Sequence, residues 1–240
     1  MAGTVRVSPA RFGAVVLDLD GVLTDTARVH LAAWRRLFDD YLAGRPDAAG
    51  EDHAPFADED YRRYVDGRRR EDGAAAFLAA RGVAVDPGTL TGLTDRKDGY
   101  VLEALARDGV HVFPDAPRLL GRLQAAGLRT GVISASRHCA QVLSAARLTG
   151  VVEVRVDGVE AARLGLPGKP DPAVFLEAAR RLGVAPARTA VVEDAEAGVA
   201  AGAAGGFGLV IGLDRTGHGA ALLARGADVV VRHLDAVEVR

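Results

Sequence analysis

The stretch DLDGVLTD sets three carboxylates, Asp18, Asp20 and Asp25, directly after the apolar run 14–17. Unpaired ionised carboxylates are costly to desolvate and repel one another at short range, so a buried strand end that carries them needs a compensating cation. Two more groups of this kind follow apolar runs. Ser134-Ala135-Ser136-Arg137-His138 comes after 128–133, and Glu193-Asp194 comes after 189–192. Lys169, within GLPGKPDP, precedes the helix that leads into the latter run. Hard divalent cations prefer oxygen ligands, while lysine and helix N-termini neutralise phosphate oxygens. The set therefore suits a divalent cation and a phosphate, provided the fold brings the strand ends together.

The elements that would do so are legible. Six short apolar runs, 14–17, 128–133, 151–156, 189–192, 207–211 and 227–231, have the β-branched, nearly continuous character of parallel strands covered on both faces. Helical patterns lie between them. Asp171-Pro172 supplies a start, Phe175, Leu176, Ala179 and Leu182 share a face, and Gly183 is a stop. Residues 114–127 behave alike, with Leu119, Leu120 and Leu123 as the stripe. Alternating strands and helices predict a doubly wound, Rossmann-like α/β core with right-handed crossovers, in which ligands bind outside the carboxyl ends of the strands.

The alternation breaks once. About 110 residues without a good strand separate the first two runs, and helices are expected over 26–43, 58–66, 71–81 and 89–107, with an irregular loop over 44–55. This predicts an all-α helical-bundle cap domain at 27–105, hinged near Thr26 and Asp108-Gly109, on a core formed by 1–26 and 106–240.

Composition bounds the rest. The 240 residues are 49% hydrophobic, enough for a large core, and the formal net charge of -2 offers no broad attraction to nucleic acid or anionic membrane. A single cysteine, Cys139, excludes an internal disulfide and a cysteine metal cage, as suits a reducing compartment. No apolar run approaches the roughly 20 residues of a membrane span, and MAGTVRVSPARFG lacks a signal-peptide core. A cytoplasmic, monomeric protein with a short flexible leader is expected.

The order DxDGVxxD, Ser after a strand, Lys before a helix and Glu-Asp after a strand resembles that of the haloacid dehalogenase superfamily of phosphotransferases. The resemblance covers nearly the whole chain. It implies that Asp18 is the nucleophile that becomes an aspartyl phosphate, and that Asp20 is the general acid and base. It further implies that Ser134 and Lys169 hold the transferring phosphoryl group, and that Mg2+ is bound by Asp18, the Asp20 carbonyl and Asp194, with Glu193 in the outer shell. Glu193-Asp194-Ala195 departs from the Glu-Asp-Ser common in relatives, which removes a hydroxyl near the water shell of the metal. Two plainer readings stand beside these: Asp-Gly also builds turns, and Glu193 could cap the helix starting near Ala195.

Within that superfamily, GVLTDTARVHLAAW is similar to the equivalent stretch of the β-phosphoglucomutase-like family, with Thr26, His30 and Trp34 at matching positions. GRRRED places Arg70 on the cap arginine for the second phosphate of the substrate, and TDRKDG places Lys97 on the cap lysine. Gly67 falls among the substrate-contact positions, as do Ser136 and Arg137 on the core side, whereas His138 replaces the usual asparagine. The resemblance implies a small-molecule sugar phosphate as partner and interconversion of β-D-glucose 1-phosphate and glucose 6-phosphate. The alternatives are a sugar-phosphate phosphatase and, from another class, a non-catalytic sugar-phosphate-binding module. Arg68, Arg69 and Arg70 could also be a solvated charged face, and His30 and Trp34, one helical turn apart, could simply pack.

Overall fold

Uninterrupted apolar strands can be buried on both faces only if helices cover both sides, and the chain folds accordingly. The computed structural model describes residues 3–46, 48 and 50–240. Met1 and Ala2 of the expected leader, and Asp47 and Ala49 of the 44–55 loop, lie outside the described residues. In chain order the strands are β1 (Val5–Val7), β2 (Ala14–Asp18), β3 (Arg129–Ile133), β4 (Val154–Val156), β5 (Thr189–Glu193), β6 (Leu209–Leu213), β7 (Val229–Val231) and β8 (Val237–Val239). Strands β2 to β7 form one parallel sheet in the order β4-β3-β2-β5-β6-β7.

Register decides which residues meet. Asp18 pairs with Ile133 of β3, and Leu17 with Val192 of β5. The residues next along, Ser134 and Glu193, therefore flank Asp18 at one edge. The sheet extends from β2 in opposite directions through β3 and through β5, so this edge is where strand order reverses and a crevice opens.

Side chains alternate across the sheet as the pleat requires. Val15 and Leu17 join Leu119, Leu120 and Leu123 of the helix Asp115–Ala125 in one layer, while Ala14 and Val16 join Phe175, Ala178 and Leu182 of the helix Ala173–Leu182 in the other. The helices preceding β3 are α1 (Thr26–Ala43), α2 (Asp58–Asp60), α3 (Arg70–Ala80), α4 (Pro87–Asp108) and α5 (Asp115–Ala125). After it come α6 (Cys139–Ala145), α7 (Gly158–Leu164), α8 (Ala173–Leu182), α9 (Glu196–Ala204) and α10 (Gly219–Ala224). Gly183 ends α8 in the left-handed conformation, as its position suggested. Among the described residues no helix is long and apolar enough to cross a membrane.

From Thr26 to Asp108 the regular elements are helical. They share an aromatic core of their own, in which Trp34 stacks on Phe38 at 5.1 Å and Phe77 packs against Phe38 at 4.3 Å and Phe56 at 4.9 Å. Two chain segments connect this layer to the sheet and run side by side. The Asp25 amide donates to His111 O at 2.9 Å, and the Phe113 amide to Leu23 O at 3.1 Å.

Several sequence expectations need correction. Val5–Val7 is a strand paired in parallel with Val237–Val239, with Val7 fully buried, so that part of the leader is anchored; neither run is long enough to stand out by pattern. The single helix expected over 58–66 is one α turn, Asp58–Asp60, followed by a π-helical turn, Tyr61–Val65. The strand at 151–156 shrinks to β4, because the Glu153 carboxylate turns back to accept from the Thr130 amide. The last two strands of the sheet begin two residues later than their apolar runs. Cys139 is fully buried, and burial pushes its thiol up, out of reactive range.

Candidate active site

Asp18 is the last residue of β2 and is buried. One of its carboxylate oxygens accepts from the Asp20 amide at 2.8 Å, and the other accepts from Lys169 Nζ at 2.7 Å. Lys169 comes from the loop before α8 and also donates to Glu193. Burial opposes its charge, but the two carboxylates push it up, so the ammonium is held charged. Burial drives Asp18 well above the usual carboxylate range despite Lys169.

Glu193 has no free oxygen. Besides Lys169 it accepts from the Ala195 amide at 2.8 Å, at the entry to α9, as the capping reading expected. Gly198 makes this possible, because a Cβ there would lie 1.8 Å from Glu193 Oε1.

Asp20 lies two residues past Asp18, at the mouth of the crevice. Ser134 Oγ donates to it at 2.6 Å, Thr26 Oγ1 donates to its other oxygen, and His30 Nε2 lies 3.5 Å away. Burial works against ionisation, but His30, Ser134 and Thr26 hold this carboxyl far below the usual range. Lys97 Nζ lies 2.7 Å from His30 Nδ1. An ammonium can only donate, so His30 carries its proton on Nε2, facing Asp20. Burial and the Lys97 charge pull His30 down, keeping the ring neutral. Burial likewise pulls Lys97 down to about 8, although Asp98 and Asp20 resist.

Around this centre the helical layer between Thr26 and Asp108 supplies further charge. Arg70 donates to Asp98, lies 3.0 Å from Asp95 Oδ1, and bonds Glu71 at 2.8 Å. Asp98 also lies 3.9 Å from both Lys97 Nζ and His138 Nε2. Trp34 is mainly a core residue, yet Lys97 sits 5.0 Å over its ring and its edge lines the cleft. Gly67 has positive φ and approaches the core closely: a Cβ there would come 2.9 Å from that of Ala195. Ser136 Oγ accepts from the His138 amide at 3.2 Å, and Arg137 is exposed at the cleft lip. His138 leads into α6 without capping it through its side chain, and its buried Nε2 has no hydrogen-bond partner among the described residues. One cleft is thus lined by Asp18, Asp20, His30, Trp34, Gly67, Arg70, Lys97, Ser136, Arg137, Lys169 and Asp194, with Thr26, Ser134 and Glu193 bonded just behind them.

Asp66, Arg68 and Asp98 also line this cleft and were missed by sequence reasoning. All three sit in mixed-charge runs, VDGRRRED and TDRKDG, where an alternating pattern looks like solvated surface. The available signal was adjacency to Gly67 and Lys97. Burial, followed by the Glu193 charge, pushes Asp66 up to about 7.

The donor set fits a divalent cation. Asp194 Oδ1 is buried and has no partner among the described residues. Burial and the neighbouring carboxylates push Asp194 well up, as expected of an acid that lacks its counter-charge. Gly21, at φ +93°, keeps the space beside it open: a Cβ there would lie 1.8 Å from Asp194 Oδ2. No three His, Cys, Asp or Glu side chains among the described residues form a ready cage. Asp18 and Asp194 are carboxylates on one cleft, and oxygen donors of this kind suit a hard cation that keeps several waters.

Comparison with known proteins agrees with this chemistry. A family model described as haloacid dehalogenase-like hydrolase matches residues 12–206. The chain is 45% identical to the β-phosphoglucomutase of Mycobacterium bovis, covering 94% of this chain and 91% of that relative. It is 32% identical to the β-phosphoglucomutase of Bacillus subtilis, covering 91% and 88%. In three dimensions it resembles the crystal structure of β-phosphoglucomutase from Clostridium difficile with a TM-score of 0.77 at 22% identity, covering 95% of this chain and 93% of that one. This last likeness concerns the fold.

Proposed function

The chain belongs to the haloacid dehalogenase-like hydrolase family and is an enzyme of the phosphotransferase type, and from that premise we propose that it is a Mg2+-dependent β-phosphoglucomutase. It would interconvert β-D-glucose 1-phosphate and glucose 6-phosphate through an aspartyl-phosphate enzyme and bound β-glucose 1,6-bisphosphate. The observation that carries this reading is that Arg70 and Lys97 of the cap meet Ser136 and Arg137 of the core over the cleft that holds Asp18 and Asp20. A mutase must grip two phosphates on one sugar, and an arginine fork suits the one that is not transferred. A phosphatase has no need of a second grip.

Each residue then has a task. Asp18 attacks phosphorus and carries the phosphoryl group, while Ser134 and Lys169 hold its oxygens. Asp20 gives a proton to the leaving sugar oxygen and takes one from the incoming hydroxyl. In the geometry described here Asp20 is ionised and held by His30, Thr26 and Ser134, which is its proton-accepting form. Lys97 keeps His30 in the tautomer that steadies it. Mg2+ held by Asp18, the Asp20 carbonyl and Asp194 would supply positive charge against the phosphoryl oxygens. Closure of the cap, residues 27–105, on the core, residues 1–26 and 106–240, excludes water so that transfer goes to sugar. We place this activity in the cytoplasm, in a monomer acting on a small sugar phosphate.

The test is an incubation of purified protein with Mg2+, β-glucose 1-phosphate and a trace of the bisphosphate, following glucose 6-phosphate and free phosphate together. Isomerised sugar without stoichiometric phosphate release is expected. Free phosphate alone would reject the mutase and leave a sugar-phosphate phosphatase on the same nucleophile. Unchanged turnover in Asp18→Asn would take the aspartyl-phosphate mechanism away from both the mutase and the phosphatase reading.

A further inference from the structure

Arg215 follows β6 and is absent from the lining of the sugar cleft, yet it touches the turn that carries Asp20. Its guanidinium grips Asp115 with two bonds, at 2.9 and 3.1 Å, and donates to the carbonyls of Gly21 and Val22, both at 3.2 Å. It also lies 3.8 Å over the Phe113 ring. Its support is rigid on both sides. Asp214, the preceding residue, gathers the amides of residues 216–219 at 2.6–3.2 Å, and Asp115 accepts the Leu234 amide at 2.8 Å.

The geometry beyond Arg215 leads to the cation site. The Gly21 amide donates to Thr24 O at 2.7 Å. In a trans peptide the preceding carbonyl points the opposite way, so this bond sets the direction of Asp20 O. On its other side the Gly21 Cα is pressed against Asp194, with no room for a Cβ. The turn is therefore wedged between the Arg215 guanidinium and the Asp194 carboxylate. Arg215 also binds both connections to the cap, one through Gly21 and Val22 and the other through Phe113 and Asp115.

We propose that Arg215 is a positioning residue: by pinning the Gly21–Val22 carbonyls to Asp115, it keeps the Asp20 carbonyl and Asp194 in metal-binding register while the cap moves. This inference rests on the phosphotransferase reading of Asp18, Asp20 and Asp194.

The experiment is Mg2+ titration calorimetry on the full chain, parent against Arg215→Met, Arg215→Lys and Asp115→Asn, with thermal melting and steady-state kinetics alongside. Arg215→Met is expected to weaken Mg2+ binding by about 10-fold or more, the range for lost outer-shell support. It should lower kcat at saturating Mg2+ and leave the KM for the sugar phosphate nearly unchanged. Arg215→Lys, which can still reach one carbonyl, should fall between. A lowered melting temperature with a Mg2+ Kd within about twofold of the parent would overturn the proposal, since such a change is well under the outer-shell range. If Arg215→Met does not fold, Arg215→Lys decides by the same criterion. A parent that binds no Mg2+ and turns nothing over would sink the functional reading as well. A working parent matched by its variants would sink the Arg215 inference alone.

Discussion

Lys169 Nζ lies 2.7 Å from Asp18 Oδ1 and also donates to Glu193, so one buried ammonium joins the ends of β2 and β5. Removing it leaves two buried carboxylates facing each other. Lys169→Ala should cost about 3–5 kcal/mol, the range for breaking a buried ion pair from one side. Urea denaturation measures this, and phosphorylation of Asp18 should be lost in the same variant. A stability loss confined to a few tenths of a kcal/mol would mean that the pair is not desolvated as described.

Gly21→Ala combines an unfavourable backbone with a collision. The residue has φ +93°, and its Cβ would lie 1.8 Å from Asp194 Oδ2. A stability loss of about 1–3 kcal/mol is expected from the strained conformation. Turnover should fall by roughly 100-fold or more, because a displacement of about 1 Å at a reacting centre has that effect. Stopped assays across a Mg2+ series would check it; normal turnover at ordinary Mg2+ would contradict the close approach.

Arg70 and Lys97 should matter for the second phosphate and not for the first. Arg70→Ala and Lys97→Ala are each expected to lower mutase flux by about 10- to 150-fold, the equivalent of the roughly 1.5–3 kcal/mol of a hydrogen bond to a charged group. Asp18 should still accept phosphate from a small donor, seen by mass spectrometry of the intact protein. Arg70→Lys should rescue little, since an ammonium cannot reproduce the bidentate geometry. Full mutase activity in both alanine variants would mean that the cap grips nothing.

Lys97 predicts a dependence on pH. Burial pulls it from its ordinary value near 10.5 to about 8. Between these values the unfolded chain binds a proton that the folded chain has released, so stability rises with pH across that window; below about 8 the full cost of burying the ammonium is present. Lys97→Met should therefore melt higher than the parent near neutral pH, and its advantage should shrink between about pH 8 and pH 10.5. In the parent, KM for the sugar phosphate should climb above about pH 8 as the charge is lost. Differential scanning fluorimetry and initial rates across pH test both; an advantage that stays constant to pH 10 would refute the shifted lysine.

Phe77 sits at the centre of the aromatic cluster of the helical layer, against Phe38, Phe56 and Tyr64. Phe77→Ala should cost about 3–5 kcal/mol by cavity formation. The loss should appear in limited proteolysis as preferential cutting within 27–105, with the sheet protected. Uniform cutting across the chain would show that the helical layer and the sheet unfold as one.

The amino-acid sequence by itself determined the class of fold and the chemistry at the strand ends. Continuous β-branched runs can be satisfied only by a covered parallel sheet, and carboxylates, hydroxyls and a lysine placed just past such runs must then lie on one edge. Local signals of this kind survive without coordinates because each depends on a few neighbouring residues, as with Asp18 and Asp20 or the stop at Gly183. Short strands such as Val5–Val7 carried too little pattern, and their pairing with Val237–Val239 joins the two ends of the described chain. Tertiary structure alone decided how charges in the mixed runs sort themselves. Asp98, beside Lys97 in sequence, becomes the partner of Arg70, Asp66, just past a π-helical turn, feels the charges of Glu193 and Asp194, and Arg215 reaches back to Gly21. Such roles depend on burial and on distances between residues tens to hundreds of positions apart. The order of charges along the chain does not encode those distances.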